Sequence, residues 1–441
     1  MADSQPTAVE GLPELMECWP DLDGPERGRR FLALTRPDQE SLFFALDVRE
    51  QAALVRELPP VERRGWMRIL PPDDAADVVQ ALPGELRKPL LDLLDDAGRR
   101  EVQALLAYAE DEAGGLMNPR YARLRPDMTV DEAIAYLRRQ LRERVESIYY
   151  TYVLDQGQRL MGVVSLRELF AAPPDRCVRD VMVTDLVTVR EDTDQEAVSR
   201  LFRTHDFLAL PVVDGEGRMK GIVTVDDVID VMLEEAGEDI QKIGAVGPLE
   251  TTYSDAGVRE MIRKRIGWLA ILFLGEMLTA SAMAYFEGAI ARAVVLALFI
   301  PLIISSGGNS GSQASTLVIR ALALDEVRLR DITRVLRREL VVGLALGAVL
   351  GAIGFARIAV WHWLLHSYGP HWLGVAATVS MSLVGVVLWG SLAGSALPFV
   401  LRRLGFDPAS ASAPFVATLV DVSGLVIYFT VASLILRGVL L

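Results

Sequence analysis

Five long apolar segments in the C-terminal part of the sequence limit the possible folds more than any other feature. A helix needs about 20 predominantly apolar residues to cross a bilayer. Segments of about this length, with few charges, are Ile266–Tyr285, Gly288–Ser306, Leu340–Trp361, Trp372–Leu401 and Phe415–Leu436. Five such segments are too many for the buried core of a soluble domain. We therefore expect an all-α transmembrane domain with five helices over residues 266–441.

The basic residues predict how these spans are oriented. Lys and Arg are concentrated before the first span, between the second and third, and after the fourth: Arg263, Lys264, Arg265, Arg320, Arg328, Arg330, Arg334, Arg337, Arg338, Arg402 and Arg403. Short loops rich in Lys and Arg stay on the cytoplasmic side. We expect a multi-pass protein of the cytoplasmic (inner) membrane with a cytoplasmic N-terminus and an external C-terminus.

The part before the spans differs sharply in charge. Residues 1–265 hold 51 acidic and 34 basic residues, a net charge of −17, whereas the remainder has a net charge of +3. An acidic surface argues against nucleic acid as a partner and suits cations. Residues 1–10 lack the apolar stretch of a secretory signal. Cys18 and Cys177 lie far apart and are expected to be inert thiols.

Leucine recurs every 12 residues near the N-terminus. The positions are Leu34, Leu46, Leu58, Leu70, Leu82, Leu94 and Leu106. Proline follows three of these leucines, and proline is tolerated in the first turn of a helix but not in its interior. Because a fixed period of this kind is typical of stacked helical repeats, residues 1–116 are predicted to form an all-α superhelical domain. A plain helical bundle is the alternative.

Residues 117–240 contain two copies of one pattern. Each copy has a helix start after Thr, β-rich runs and a Gly-Val-Val-Ser or Gly-Ile-Val-Thr strand before a final helix. The pattern resembles a tandem CBS-domain pair, an α/β regulatory module that often binds adenosyl ligands. The resemblance implies ribose contacts through Thr224 and Asp227, where the first copy has Ser165 and Glu168. Alternatively, Thr224 and Asp227 cap the last helix.

An acidic segment follows the second copy. Its carboxylates recur at spacings of three and four residues and include Asp226, Asp230, Glu235, Glu238 and Asp239. Such spacing places like charges side by side on a helix, where they repel one another. A bound divalent cation would relieve this repulsion, and oxygen ligands suit Mg²⁺ or Ca²⁺. The alternative is a solvated helix face without a bound ion.

Small and polar residues interrupt the second apolar segment. Residues 305–313 read Ser-Ser-Gly-Gly-Asn-Ser-Gly-Ser-Gln, preceded by Pro301. We expect a break in the helix, since irregular backbone at membrane depth is tolerated where it lines a cavity. Asn309 and Gln313 would then offer dipoles to a hydrated ion. The alternative is a helix-packing face of small residues.

The fifth span contains a carboxylate, Asp421, between apolar runs. An ionisable residue inside the membrane is expensive and indicates a functional site. Ala417 and Gly424 lie one turn away on the same helix face and would let an ion approach. A structural hydrogen bond to another span is the alternative. Glu276, in the first span, either lines the pore or bonds a neighbouring hydroxyl.

Together these motifs resemble the MgtE family of magnesium channels. The resemblance rests on Phe299-Ile300-Pro301, the Gly307–Thr316 run, Asp407-Pro408 and the Ala417–Asp421 run, in the same domain order. It implies a homodimer with one pore, in which Asp421 binds hydrated Mg²⁺ with the Ala417 carbonyl and Asn309. It also implies ATP at Thr224 and Asp227, and a connecting plug helix within 241–265, at about 254–264, that closes the pore when Mg²⁺ fills the acidic sites.

Several functions remain open from the sequence. A Mg²⁺ channel gated by cytoplasmic Mg²⁺ is favoured, with Mn²⁺, Co²⁺ and Ca²⁺ as further candidate cations. A carrier coupled to protons or Na⁺ through Asp421 and Glu276 is the alternative. A non-transporting regulator would need neither Asp421 nor the Gly-Asn-Gln segment. An enzyme is not expected, because no nucleophile–base pair or catalytic metal constellation is visible.

Overall fold

The computed structural model describes residues 11–140, 145, 147, 149–249, 253, 256–366 and 368–437. The chain divides into two compact units, Met1–Glu235 and Ala236–Leu441. The first unit holds a helical region followed by two small sheets. The second unit holds the apolar helices.

Short helices fill the first part of the N-terminal unit. They are α1 Leu12–Cys18, α2 Gly24–Ala33, α3 Arg36–Ala45, α4 Val48–Glu57, α5 Pro60–Ile69, α6 Pro72–Gln80, α7 Gly84–Leu91, α8 Asp96–Leu105 and α9 Ala113–Leu116. The repeated leucines from Leu34 to Leu94 are buried where one helix ends. Pro59, Pro71 and Pro83 then immediately precede the next helix. The predicted all-α repeat fold is confirmed.

A polar residue five positions after most of these leucines holds successive helices together. The side-chain amide of Gln39 donates to the carbonyl oxygens of Phe31 (3.1 Å) and Leu34 (3.3 Å) at the end of α2. The last carbonyls of a helix lack partners within it, so such bonds satisfy them. The equivalent bonds are made by Gln51, Arg63, Arg87 and Arg99. The sequence analysis found the leucines of this repeat but not these side chains.

The two predicted α/β modules form two sheets of the same topology. Strands β1 Arg123–Leu124, β2 Tyr150–Leu154 and β3 Leu160–Ser165 form the first, and β4 Val189–Arg190, β5 Ala209–Val213 and β6 Met219–Thr224 form the second. In each sheet the first two strands are parallel and the last two antiparallel. The associated helices are α10 Val130–Gln140, α11 Leu166–Ala171, α12 Gln195–His205 and α13 Val225–Ile243.

The second unit contains, among the described residues, five helical segments long and apolar enough to cross a membrane. Its helices are α14 Val258–Tyr285, α15 Glu287–Arg292, α16 Val294–Ala297, α17 Ile300–Ala323, α18 Ile332–Leu365, α19 Trp372–Arg403 and α20 Ala413–Ile435. Helix α19 packs against α17, α18 and α20. The predicted five-span architecture is confirmed, although the second span lies further along the chain than expected.

The predicted break in the second span is wrong. Residues 305–313 lie inside α17, which runs without interruption, and Pro301 lies in its first turn. A Cβ atom on Gly390 or Gly394 of α19 would overlap the carbonyl oxygen of Gly307 or Gly311. The small residues therefore allow the backbones of two helices to touch, which is the packing alternative. The irregular backbone lies earlier, at the short helices α15 and α16.

The predicted connecting helix begins outside the described residues, since 254 and 255 are not among them. From Val258 onward, its residues form the first turns of α14, the same helix that supplies the first span. The backbone N–H of Gly247 donates to the Lys264 carbonyl at 2.9 Å. The segment that leads into the membrane unit is thereby tied to the start of α14.

Candidate functional site

An intramembrane carboxylate lies where α17 and α20 meet. Asp421 is half-buried on α20, one turn after Ala417. A Cβ atom on Gly308 would lie 3.4 Å from the Cβ of Ala417 and 3.8 Å from Oδ1 of Asp421. Because Gly308 has no side chain, α17 comes close to the carboxylate here. Asn309, the next residue, is exposed and its side-chain amide faces the Ser305 hydroxyl at 3.5 Å.

A second carboxyl group reaches the same place from α14. The carboxyl group of Glu276 lies within hydrogen-bonding reach of that of Asp421. Helix α14 is held close to α20 at the preceding residue, since a Cβ atom on Gly275 would lie 2.5 Å from the Thr418 methyl group. The sequence singled out both carboxylates separately. Only the packing of α14 on α20 brings them together.

A group of carboxylates lies in the N-terminal unit. Burial, followed by the charges on Asp74, Asp227, Glu110 and Glu234, raises the pKa of Asp77 to about 7. Burial, opposed by a hydrogen bond from Thr224, also raises the pKa of Asp227 to about 7. The sequence analysis did not single out Asp74 or Asp77, although three aspartates within the first six residues of a short apolar helix, Asp73, Asp74 and Asp77, were a visible signal. Asp74, Asp77 and Asp227 are half-buried, whereas Glu110 and Glu234 are exposed at the edge of this group.

Thr224 and Asp227 bond to each other at the start of α13. The Thr224 hydroxyl donates to a carboxylate oxygen of Asp227 at 2.6 Å, and the Thr224 N–H donates to the same oxygen at 3.2 Å. Ser165 and Glu168 make the same pair of bonds at the start of α11. This geometry is that of a helix cap, so the pair has a structural role whether or not it also contacts a nucleotide.

The other predicted metal residues occupy different surroundings along α13. Asp226 and Asp230 are exposed, whereas Asp239 is half-buried. Glu235 accepts a hydrogen bond from Gln195 at 2.6 Å, and Glu238 pairs with Lys242 at 2.6 Å. Lys242 also pairs with Asp407 at 2.7 Å. Nowhere in the described ranges do three His, Cys, Asp or Glu side chains gather closely enough to hold one ion.

Comparison with known proteins decides the family. Residues 300–431 match the family described as a divalent cation transporter, residues 12–111 the MgtE intracellular N domain, and residues 113–175 and 178–234 the CBS domain. The magnesium transporter MgtE of Thermus thermophilus is 48% identical over 367 residues, which are 82% of this chain and 79% of that protein. The chain belongs to the MgtE family of magnesium transporters.

Further MgtE relatives match a similar share of the chain at lower identity. The MgtE magnesium transporter of Enterococcus faecalis is 36% identical over 78% of this chain and 73% of its own length. A crystal structure of the cytosolic domain of the Mg²⁺ channel MgtE in complex with ATP is 45% identical, covers 50% of this chain and 90% of that chain, and gives a TM-score of 0.47. The MgtE family consists of transporters, not enzymes, and this member is a multi-pass membrane protein.

Proposed function

We propose that the chain forms a Mg²⁺-selective channel in which Asp421 is the ion ligand. The observation that carries this proposal is a half-buried carboxylate inside membrane helix α20, with the side-chain-free Gly308 of α17 facing it. Intramembrane carboxylates mark ion pathways. Mg²⁺ dehydrates reluctantly and is usually held by one or two carboxylates while it keeps several waters. Asp421 and the space next to Gly308 suit an ion of that kind.

The remaining ligands would come from the same two helices. Ala417, whose carbonyl oxygen is one of these ligands, lies one turn before Asp421 on α20. Asn309, whose side chain is the other, directly follows Gly308 on α17. In a homodimer, two copies of these groups would surround one pore on the two-fold axis. Such a site would also admit Mn²⁺, Co²⁺ or Ca²⁺ to differing degrees. It would lie in the cytoplasmic membrane, with the N-terminus cytoplasmic and the C-terminus external.

Cytoplasmic Mg²⁺ would close this pore. The proposed domains are a helical repeat (1–116), a CBS pair (117–240), a connecting segment (241–265) and the pore (266–441). Mg²⁺ bound at Asp226, Asp230, Glu235, Glu238 and Asp239, and near Asp77, would neutralise mutually repelling carboxylates. The state that binds Mg²⁺ more tightly would then predominate, and the connecting segment would transmit the change to α14.

ATP is the proposed ligand of the CBS pair. Thr224 and Asp227 stand at the end of β6 and the start of α13, where a hydroxyl and a carboxylate could contact the two ribose hydroxyls. In the structure these side chains bond to each other. Binding of ATP would therefore replace the bond between Thr224 and Asp227 with bonds to the ribose hydroxyls.

Ion flux in proteoliposomes tests the pore assignment. Purified protein should pass Mg²⁺ down a Mg²⁺ gradient alone, whereas a coupled carrier would require a proton or Na⁺ gradient. Asp421→Asn, which keeps the side-chain shape but removes the charge, should abolish flux with unchanged folding and dimerisation. The control is Asp331→Asn, at a carboxylate that immediately precedes α18 and accepts from the Arg328 N–H. Parental flux from Asp421→Asn would show that Asp421 is structural.

A further inference from the structure

Glu276 is a charged residue on the most exposed membrane helix of the chain. Helix α14 has no buried residue, and the Glu276 side chain is itself exposed. A carboxylate in a membrane span almost always faces a bundle interior or a water-filled cavity, because exposure to lipid is costly. Glu276 therefore marks the side of α14 that faces a polar space. That side is the one in contact with α20.

The contacts of α14 define this polar side. Gly275 packs against Thr418, and the next residue, Glu276, comes within hydrogen-bonding reach of Asp421. Thr279 lies on the same side, three residues further along, and its buried hydroxyl has no hydrogen-bond partner among the described residues. Ser and Thr hydroxyls in membrane helices usually bond within the helix, as that of Ser281 does to Met277. The side of α14 next to Asp421 thus carries a carboxylate and a hydroxyl.

Two adjacent carboxylates have a simple electrostatic consequence. When neither group holds a proton, they together carry two negative charges, which one divalent cation neutralises and one monovalent cation does not. The attraction between a cation and a carboxylate a few ångströms away is several times stronger at the effective dielectric of a protein than in water. A second carboxylate therefore favours the doubly charged ion more than the singly charged one. Two carboxylates with retained water also match the ligand set that Mg²⁺ prefers.

We propose that Glu276 is a specificity-determining residue which, together with Asp421, makes the pore select divalent over monovalent cations. This inference rests on the proposed function, in which Asp421 is the pore ligand. Each subunit would then contribute two carboxylates, from α14 and α20, instead of one. The competing explanation is that Glu276 only stabilises the packing of α14 on α20, through a hydrogen bond to Asp421.

The experiment measures Mg²⁺ flux and Na⁺ leak in proteoliposomes for three variants. Glu276→Gln keeps the hydrogen-bonding shape but removes the charge, so it should raise the Mg²⁺ concentration for half-maximal flux about tenfold or more and admit Na⁺. Glu276→Asp keeps the charge and should retain the parental preference for Mg²⁺. Glu287→Gln, the same change at an exposed residue beyond the end of α14, should behave as the parent.

A structural role would give a different pattern. A hydrogen bond alone is preserved by Glu276→Gln and weakened by the shorter Asp, so Glu276→Asp would then be the more damaging change. Parental selectivity in Glu276→Gln, with Asp421→Asn inactive, would overturn this inference and leave the proposed function intact. Parental flux in Asp421→Asn would instead remove the proposed function.

A chemical variant covers the case in which Glu276→Gln does not fold. Glu276→Cys, in a background with Cys18 and Cys177 changed to Ser, can be modified after folding with a negatively charged or a neutral thiosulfonate of similar size. The charged reagent should restore the preference for Mg²⁺ over Na⁺, and the neutral one should not. Equal selectivity after the two reagents would contradict the role of the charge.

Discussion

At the residue scale, two half-buried carboxyl groups make the stability of the N-terminal unit depend on pH. The pKa values of Asp77 and Asp227 are raised from 3.8 to about 7, in both cases mainly by burial. At a pH between 3.8 and about 7, these two groups bind more protons in the folded chain than in the unfolded chain. The free energy of unfolding therefore falls as pH rises from about 4 to about 7. A divalent cation at these carboxylates would offset the loss above pH 7.

Hydrogen exchange at different pH values checks this coupling. In the presence of a chelator, raising the pH from 5 to 7.5 should weaken the protection of α6 and the start of α13, after correction for the intrinsic exchange rate, by on the order of 2 kcal/mol. Mg²⁺ at pH 7.5 should restore the protection. Asp77→Asn should flatten the pH response, whereas Asp175→Asn, at an exposed position, should not. Protection independent of pH in the parent would contradict the assignment.

At the element scale, close packing of α17 on α19 sets the geometry of the proposed ion site. Gly307 and Gly311 of α17 lie directly against Gly390 and Gly394 of α19. This contact places Gly308, on the adjoining side of α17, next to Ala417 and Asp421 of α20. The glycines therefore position the site without contacting the ion. Substitutions there should act through the spacing between helices.

A single methyl group tests this spacing. Gly390→Ala would place its Cβ against the Gly307 carbonyl, so the helices must separate. Overpacking of this kind costs about 1–3 kcal/mol, and thermal unfolding in detergent should show it together with reduced Mg²⁺ flux. The control is Gly267→Ala on α14, where a Cβ would meet nothing within 4 Å among the described residues. Unchanged stability and flux in Gly390→Ala would show that the contact can relax freely.

At the scale of the whole molecule, the charge difference between the two parts of the chain suggests negative feedback. Residues 1–265 carry a net charge of −17, and a compact region of that charge repels itself. Mg²⁺ that enters the cytoplasm would reduce this repulsion and favour a compact, closed state. Low Mg²⁺ would favour an expanded, open state.

Titration with Mg²⁺ tests the feedback. As Mg²⁺ rises through the cellular range, the parent should become more resistant to protease and conduct less. A variant with Asp226, Asp230, Glu235, Glu238 and Asp239 changed to Asn or Gln should show neither response. If neither the flux nor the protease sensitivity of the parent changed with Mg²⁺, these carboxylates would not sense Mg²⁺. The assignment of Asp421 to the pore would be unaffected.

Labelling of single cysteines tests the orientation. Arg334, near the start of α18, and His366, just after its end, should lie on opposite sides of the membrane. In a background without Cys18 and Cys177, Arg334→Cys should react with a membrane-impermeant reagent only from the cytoplasmic side. His366→Cys should react only from outside. Labelling of both from one side would exclude the proposed topology.

Features that depend on a local pattern could be predicted from the sequence alone. Five spans follow from the length of the apolar segments, and the repeat follows from leucines 12 residues apart. Asp421 was identifiable because a carboxylate inside an apolar segment is anomalous wherever the helices pack. Each of these properties depends on a short stretch of sequence, so it can be recognised without knowledge of the rest of the fold.

The contacts between groups that are distant in sequence depend on helix packing and could not be predicted. Glu276 and Asp421 lie on helices far apart in sequence, as do Asp77 and Asp227, and no local pattern reports their proximity. Residues 305–313 suggested a broken helix because glycine weakens helices in isolation. The contact of α17 with α19 outweighs that weakness, since glycine there allows the two backbones to touch. Local propensity is set by neighbours in sequence, whereas the proximity of Gly308, Glu276 and Asp421 is set by helix packing.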